Sequence, residues 1–483
     1  MAEKIVSPGV FTNEIDQTFL PSAVADIGAA LIGPTVKGPA LVPTVVTSYS
    51  EFQQKFGDSF KSGSNSYQFL TSHTAEQYLK NANTLTVVRI LDQGTSDFGP
   101  ASATILTGSS TTHGSVPAST IGTAFKLYTH GDGTIENNAS STVTTNSILT
   151  SGSKHNIRWE IPSVNISKGT FNLTIRRGDD SHKRKQVLET YNNISLDPNQ
   201  NNYIGKAIGD QVYNIKLDEN SKPFLQLSGS YPNKSKYVRV GDIQTTVDYL
   251  DENGNVRVAH YSASLPTSGS GSSNGGFAGG ADGFSGFDAH GKQEGNSSVA
   301  ANFYENITED NSQGFDLTTA ANGQSSYEEA LDLLSNQDEY DVNLILAPGV
   351  ISAEHPAIAS KIIDICEDRG DCFTIIDPVL HDKNVVDATT EAESKDSNYA
   401  AMYWPWIKVP DSQVGTQRWV PPSVCLGGIF AFNDRVAHPW FAPAGLNRGG
   451  IDIAIQAERK LTQADRDTLY DSNVNPIATF PGQ

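Results

Sequence analysis

Apolar residues change their spacing several times along this chain, and each change predicts a different kind of element. Residues 1–20 carry few helix signals. "SPGV" reads as a turn and "VFTNEI" alternates apolar with polar positions, so the segment predicts an extended N-terminal arm whose apolar positions are Val6, Val10, Phe11 and Ile15. Such an arm is either loose, as chain termini usually are, or laid along the edge of another sheet. Residues 23–90 read as strand, Gly-Pro turn, strand, helix, helix, strand. Ser48 is placed as a helix N-cap with Glu51 three residues on, a capping box, and Gly57 is placed as the stop. Phe69, Ala75, Tyr78 and Leu79 recur at helical spacing, and "TLTVVRI" is apolar enough to be a buried strand.

From Gln93 the composition shifts to Ser, Thr, Gly and Asn, broken by short alternating runs. "FKLYTH", "SKHNIRWEI", "TFNLTIRR", "KYVRV", "TTVDYL" and "VRVAHYSA" predict strands. The stretch from Lys185 to Asp210 predicts a strand, a turn and a helix. Ser268–Gly295 is Gly/Ser-rich and predicts a mobile loop. At Ser325 the helix–strand alternation returns and continues to the end. The fold class is therefore an α/β (α+β) core interrupted by a long β-rich insertion that forms outer domains. Its expected parts are an arm at 1–20, a discontinuous core at 21–92 and 325–483, a β-rich domain at 93–185, and a second at 186–324 carrying the 268–295 loop. Insertions of this kind are tolerated at surface loops whose ends lie close together.

Length agrees: 483 residues suit two to four domains at about 100–200 residues each. The net charge is −20 and no basic block stands out beyond "HKRK" at 182–185, which argues against nucleic acid as a partner. No run of 18 apolar residues predicts a membrane span, and the N-terminus lacks a signal peptide's apolar run. The product is expected in the cytoplasm when made. Three cysteines in so long a chain do not make a disulfide framework, and Cys366 and Cys372 match no zinc spacing.

No catalytic, cofactor or metal site emerges. "GGFAGGADG" lacks the GK[ST] and the strand-to-helix context of a phosphate loop. There is no G-x-S-x-G. Ser423 after two prolines reads as a turn or cap, and His438 as a structural histidine. Glu328-Glu329 and Glu367-Asp368 read as solvent faces of helices. Asp282 between glycines is a weak calcium signal, because a calcium loop needs several oxygen ligands in series.

The concentrated signal is aromatic. Ser397–Asp411 holds Tyr403, Trp404 and Trp406, and the chain downstream adds Trp419, Trp440, Arg435 and Arg448 among many prolines. Such a set packs a core, meets another subunit, since Tyr and Trp are favoured at interfaces, or forms a ligand platform. Core packing is preferred, with subunit contact second.

Several of these stretches carry a resemblance. "SPGVFTNEID", "GPALVPTVVTSYSEFQQKFG", "NYAAMYWPWIKVPD", "PPSVCLGGIFAFNDR", "HPWFAPAGLNRGGI" and "LTQADRDTLYDSNVNPIATFPG" resemble, in order, segments of the tail sheath proteins of contractile-tailed bacteriophages of the myovirus type. The resemblance implies an α/β core with outer β-rich domains and no catalysis. It implies a subunit that joins copies of itself in rings stacked as a helical sleeve around a tail tube, and a sleeve that contracts and drives the tube through the host envelope. Partners implied are the tail tube protein and the baseplate and tail-terminator proteins, with no nucleic acid, membrane insertion or cofactor. The location implied is the virion tail, reached from the host cytoplasm. Residues 3–16 would be the arm that adds a strand to a neighbour. The family continues past "NPIATFPG" with a further domain and a C-terminal arm, so the chain is expected to be truncated at Gln483. A pyocin-like injection system fits the same residues, and a β-rich carbohydrate-binding protein is the reading from a different class.

Overall fold

The computed structural model describes residues 28–62, 65–91, 98–107, 122–138, 148–219, 222–258, 260–266, 274–283, 307–412, 415–438 and 440–480. Val6, Val10, Phe11 and Ile15 lie outside them. The fold mixes helices and strands in several sheets. Among the described residues no helix is long and apolar enough to cross a membrane.

The largest sheet has seven strands: β1 (Gly28–Gly33), β2 (Thr44–Val46), β3 (Leu85–Arg89), β4 (Val342–Ile351), β5 (Phe373–Asp377), β6 (Ala400–Trp404) and β7 (Val474–Pro476). Their spatial order is β2-β3-β1-β4-β5-β6-β7. All neighbours are parallel except β2 with β3. Strands from both ends of the chain thus meet at the β1–β4 pair, with Ala30 opposite Ile345.

Apolar runs without alternation suit a sheet covered on both faces. Ala29 and Leu31 pack on one side with α1 (Tyr49–Phe56), α2 (Leu70–Leu79) and α6 (Ser423–Val436). Ala30 and Ile32 pack on the other with α3 (Asn322–Leu334) and α4 (Pro356–Arg369). Two further helices, α5 (Val385–Glu393) and α7 (Gln463–Asp471), cover the β6–β7 end. α1 begins as expected at Ser48, whose Oγ accepts from Glu51 N at 3.3 Å. The return bond differs from a capping box: Glu51 Oε2 accepts from Thr47 N, one residue earlier, at 2.9 Å.

Residues 100–283 make separate sheets. Pro100–Leu106, Thr123–Asp132 and Val238–Gly241 form one; Ile157–Glu160, Thr170–Arg177, Val187–Ser195 and Asn274–Gly275 belong to another. A single apolar cluster joins them, with Phe125 stacked on Phe171 at 5.5 Å and Trp159, Leu173, Ile204, Val238 and Phe277 around it. Beside it Arg176 is buried between Asp180 (2.7 Å) and Glu160 (2.8 Å), and Lys185 reaches the other Glu160 oxygen at 2.7 Å.

Four expectations need correction. The boundary between 185 and 186 falls inside an antiparallel pair, Thr170–Arg177 with Val187–Ser195, and the cluster above draws on both sides of it. "TTVDYL" and "VRVAHYSA" are not strands: Asp248 and Gly254 have positive φ (50° and 81°), the two segments share one isolated bridge, and Tyr261–Ser264 is a single helical turn. Within 268–295, residues 274–283 are laced to their surroundings instead of free. Gly275 pairs with Trp159, Ala278 bridges Ser102 and Ala281 bridges Gly99. A Cβ on Gly280 would lie 2.5 Å from the Gly133 carbonyl oxygen, so the glycines admit close backbone approach there. Finally, the core begins again before 325, since Ile307, Phe315 and Leu317 already pack into its apolar clusters.

Candidate assembly interface

The expected aromatic cluster is built by β6 and the segments downstream of it. The Trp404–Pro405 peptide is cis, and the chain continues as the strand Ile407–Asp411 in a small sheet with Thr416–Val420 and Gln456–Ala457. The rings then separate into three settings. Trp404 is fully buried with Ile376, Met402, Leu469 and Val474. Trp406 is buried in the next cluster and donates from Nε1 to Val379 O at 2.9 Å. Trp419 is half-buried, with Lys408 Nζ 5.4 Å from its ring centre and the His381 ring 4.9 Å away. Tyr403 is half-buried against the α1–α2–α6 side, and burial pushes its hydroxyl up to about 12.

The third setting is solvent. Trp440 is 77% exposed. It stacks on His438 at 4.3 Å, so His438 is a surface ring and not an internal one. Phe441, Leu446 and Val436 beside it in sequence are exposed too. Arg448 lies over Phe441 at 4.7 Å. Arg435 is exposed at the end of α6, 5.6 Å from Phe432. The segment is anchored by Asn433 Nδ2, which donates to Phe441 O at 2.9 Å, and by Ile455 N, which donates to Lys408 O at 2.8 Å. Large apolar rings facing water in one stretch mark an interaction surface more readily than single exposed residues do. The structure thus puts Trp404, Trp406 and Trp419 inside or on the wall, and Trp440, Arg435 and Arg448 at the surface.

Buried polar groups nearby are structural in their contacts. Asp377, at the end of β5, accepts from Ser423 N at 3.0 Å and Ser423 Oγ at 2.5 Å. Burial outweighs those bonds and pushes its carboxyl up to about 7. Ser423 is itself 2% exposed and is the first residue of α6, after Pro422 at the cap position; with its hydroxyl given to Asp377 it offers no open nucleophile. Asp282 accepts from Thr134 N at 2.9 Å and from Thr134 Oγ1, which explains it without calcium. Arg89, buried at the end of β3, donates to Gly38 O at 2.6 Å and Asp132 O at 2.8 Å, tying the large sheet to the outer strands. The three cysteines are free and buried. Glu367 and Asp368 face solvent; Glu328 and Glu329 are half-buried.

Sequence reasoning missed His381, Asp382 and Glu458, which come together below Trp406. Glu458 Oε1 accepts from Asp382 N at 2.5 Å and Oε2 from Trp406 N at 3.2 Å. Burial raises its carboxyl above the usual range. Their separation in sequence hid them. A cleft of about 520 Å³ opens at the other end of the sheet, between the end of α2 and that of α6, with Phe373, Phe430, Asp434 and Arg435 on its wall.

Residues 323–483 match the family model for the central domain of phage tail sheath proteins. The tail sheath protein of Vibrio phage KVP40 is 29% identical over 210 residues, covering 36% of this chain and 30% of that protein. The tail sheath protein of Enterobacteria phage T4 is 30% identical over 175 residues, covering 32% and 26%. The matched stretch therefore spans under a third of these relatives' own length. Among solved structures, a sheath tail protein of Listeria innocua aligns over 95% of this chain and 67% of its own, at 12% identity and a TM-score of 0.46.

Proposed function

We propose, from the premise that the chain belongs to the phage tail sheath family, that it is a structural subunit of a contractile tail sheath. The match of residues 323–483 to the sheath central domain carries the reading. In this reading the chain joins copies of itself in a helical sleeve around a tail tube, meets the baseplate and tail-terminator proteins at the ends, and works in the virion tail. It catalyses no reaction; force comes from a lattice with two packings of different free energy. The seven-stranded sheet, drawn from 28–89 and 342–476, supports a core interrupted by an insertion. The shared apolar cluster supports one outer body across 100–283 in place of two domains.

The exposed Trp440–Phe441 stretch is the contact we assign to a neighbouring copy, since desolvated Trp and Arg dominate interface energies. Purified protein viewed by negative-stain electron microscopy tests both levels. Rings or tubes that form at high concentration, and are lost in Trp440→Ser with its thermal stability unchanged, are the expected result. Monomers at every concentration and salt would overturn the sheath reading. Assembly unaffected by Trp440→Ser would overturn only the contact.

A further inference from the structure

We propose that His381, Asp382 and Glu458 form a binding site for one divalent cation of the zinc class. One ligand atom from each lies within 4.8 Å of the other two. His381 Nδ1 and Asp382 Oδ2 are 3.2 Å apart, close to the edge of about 3.3 Å that a tetrahedron with bonds of roughly 2.0–2.1 Å requires. Asp382 is 87% exposed in its side chain and can turn to close the set without disturbing the fold. Glu458 is held in place by its two backbone donors, Asp382 N and Trp406 N, and each of its oxygens keeps a second lone pair for a metal.

Two observations separate this set from an ordinary acidic cluster. The first is charge: among the described residues no Lys or Arg lies within ion-pair distance of either carboxylate, and the imidazole is the sole partner. The second is the imidazole itself. Its ring is fixed edge-on to Trp406 and tilted against Trp419, with Nδ1 on the side of Asp382 Oδ2. An imidazole held between two aromatic rings and set beside two carboxylates is a donor set for zinc, cobalt or nickel, whereas magnesium and calcium prefer oxygen alone. Three protein ligands leave a fourth position for water.

The consequence is mechanical. His381 and Asp382 come after β5, while Glu458 comes directly after the strand Gln456–Ala457 that ends the exposed aromatic stretch. A bound cation would clip the return of that stretch to the core. The site stands whether or not the sheath reading does.

Cobalt titration of the whole purified chain tests it. One Co²⁺ should bind per chain with the intense visible d–d absorption of a tetrahedral site, be displaced by equimolar Zn²⁺, and resist equimolar Mg²⁺. Glu458→Gln and Asp382→Asn should each weaken binding by about tenfold or more. Asp382→Asn is the safer variant, because its side chain is exposed and near-UV circular dichroism should be unchanged. Absence of stoichiometric cobalt, or equal uptake by natively folded Asp382→Asn and Glu458→Gln proteins, would overturn the assignment.

Discussion

Asp377 shows how far one buried carboxyl can bend the stability of the whole core. Its two bonds from Ser423 and the N-terminus of α6 favour the anion, yet burial raises the group to about 7, against about 3.9 in an unfolded chain. Between those values the folded state holds a proton that the unfolded state has lost. Stability from this group is therefore fully present below about pH 4 and falls as pH rises towards 7. His155 and His355 act in the opposite sense: burial pushes both down to about 4, so they lose stability as pH falls below about 6.5. The wild-type profile mixes these slopes, and a difference measurement isolates Asp377. Asp377→Asn keeps a neutral partner for Ser423. On going from pH 5 to pH 8 the wild type should lose stability relative to this variant, by roughly 2–3 kcal/mol. Urea midpoints at the two pH values read it; parallel changes in both proteins would exclude the assignment.

At the scale of elements, α6 is the clearest case of a helix that its own sequence conceals. "PPSVCLGGIFAFNDRV" carries two adjacent glycines and is apolar nearly all round, so neither propensity nor a polar face announces it. The glycines are there for contact. A Cβ on Gly428 would lie 2.6 Å from Gln77 O in α2, and one on Gly427 would lie 2.5 Å from Leu346 Cδ1 in β4. The first obstacle is backbone and cannot yield, while the second is the end of a flexible side chain. Gly428→Ala should thus cost about 1–3 kcal/mol and Gly427→Ala less, as measured by thermal or chemical unfolding. Equal costs would mean that helix propensity, not packing, governs the site.

The same contrast explains what was legible. β1, β3, α1 and the strands around Phe125, Trp159 and Leu173 carry local signals, either unbroken apolar runs or a cap, and these could be read directly. The hairpin Val212–Leu217/Pro223–Ser228 was missed, though its Ile215 and Leu225 pack on the core, because its apolar positions are few and scattered. The aromatic residues could be found as a group, but their division between Trp404 at no exposure and Trp440 at 77% depends on where β6 ends and α6 turns. The His381–Glu458 pairing is a tertiary fact with no local trace.

At the scale of the molecule, the outer body has its own apolar cluster and its own buried ionic network, while the core has others. Separate cores predict separate cooperativity, because a multidomain chain does not unfold as one unit unless its interface couples the parts strongly. The coupling visible here runs through Arg89, Gly38 and Asp132, through His155 on Ser59 O and Lys154 on Asp58, and through apolar contact of Ile135 with Val36 and Phe60 and of the hairpin's Ile215 and Leu225 with the core. Calorimetry should resolve two transitions. Arg176→Ala removes the guanidinium shared by Asp180 and Glu160, which are 0% and 10% exposed in their side chains and keep Arg158 and Lys185 as partners, and should cost up to about 3 kcal/mol in one transition. Trp404→Ala empties a site of no exposure and should cost about 3–5 kcal/mol in the other. If both variants shift one common transition, the junction is stiff enough to fuse the two bodies into one cooperative unit. If each variant moves its own transition, the outer body and the core unfold as separate cooperative units.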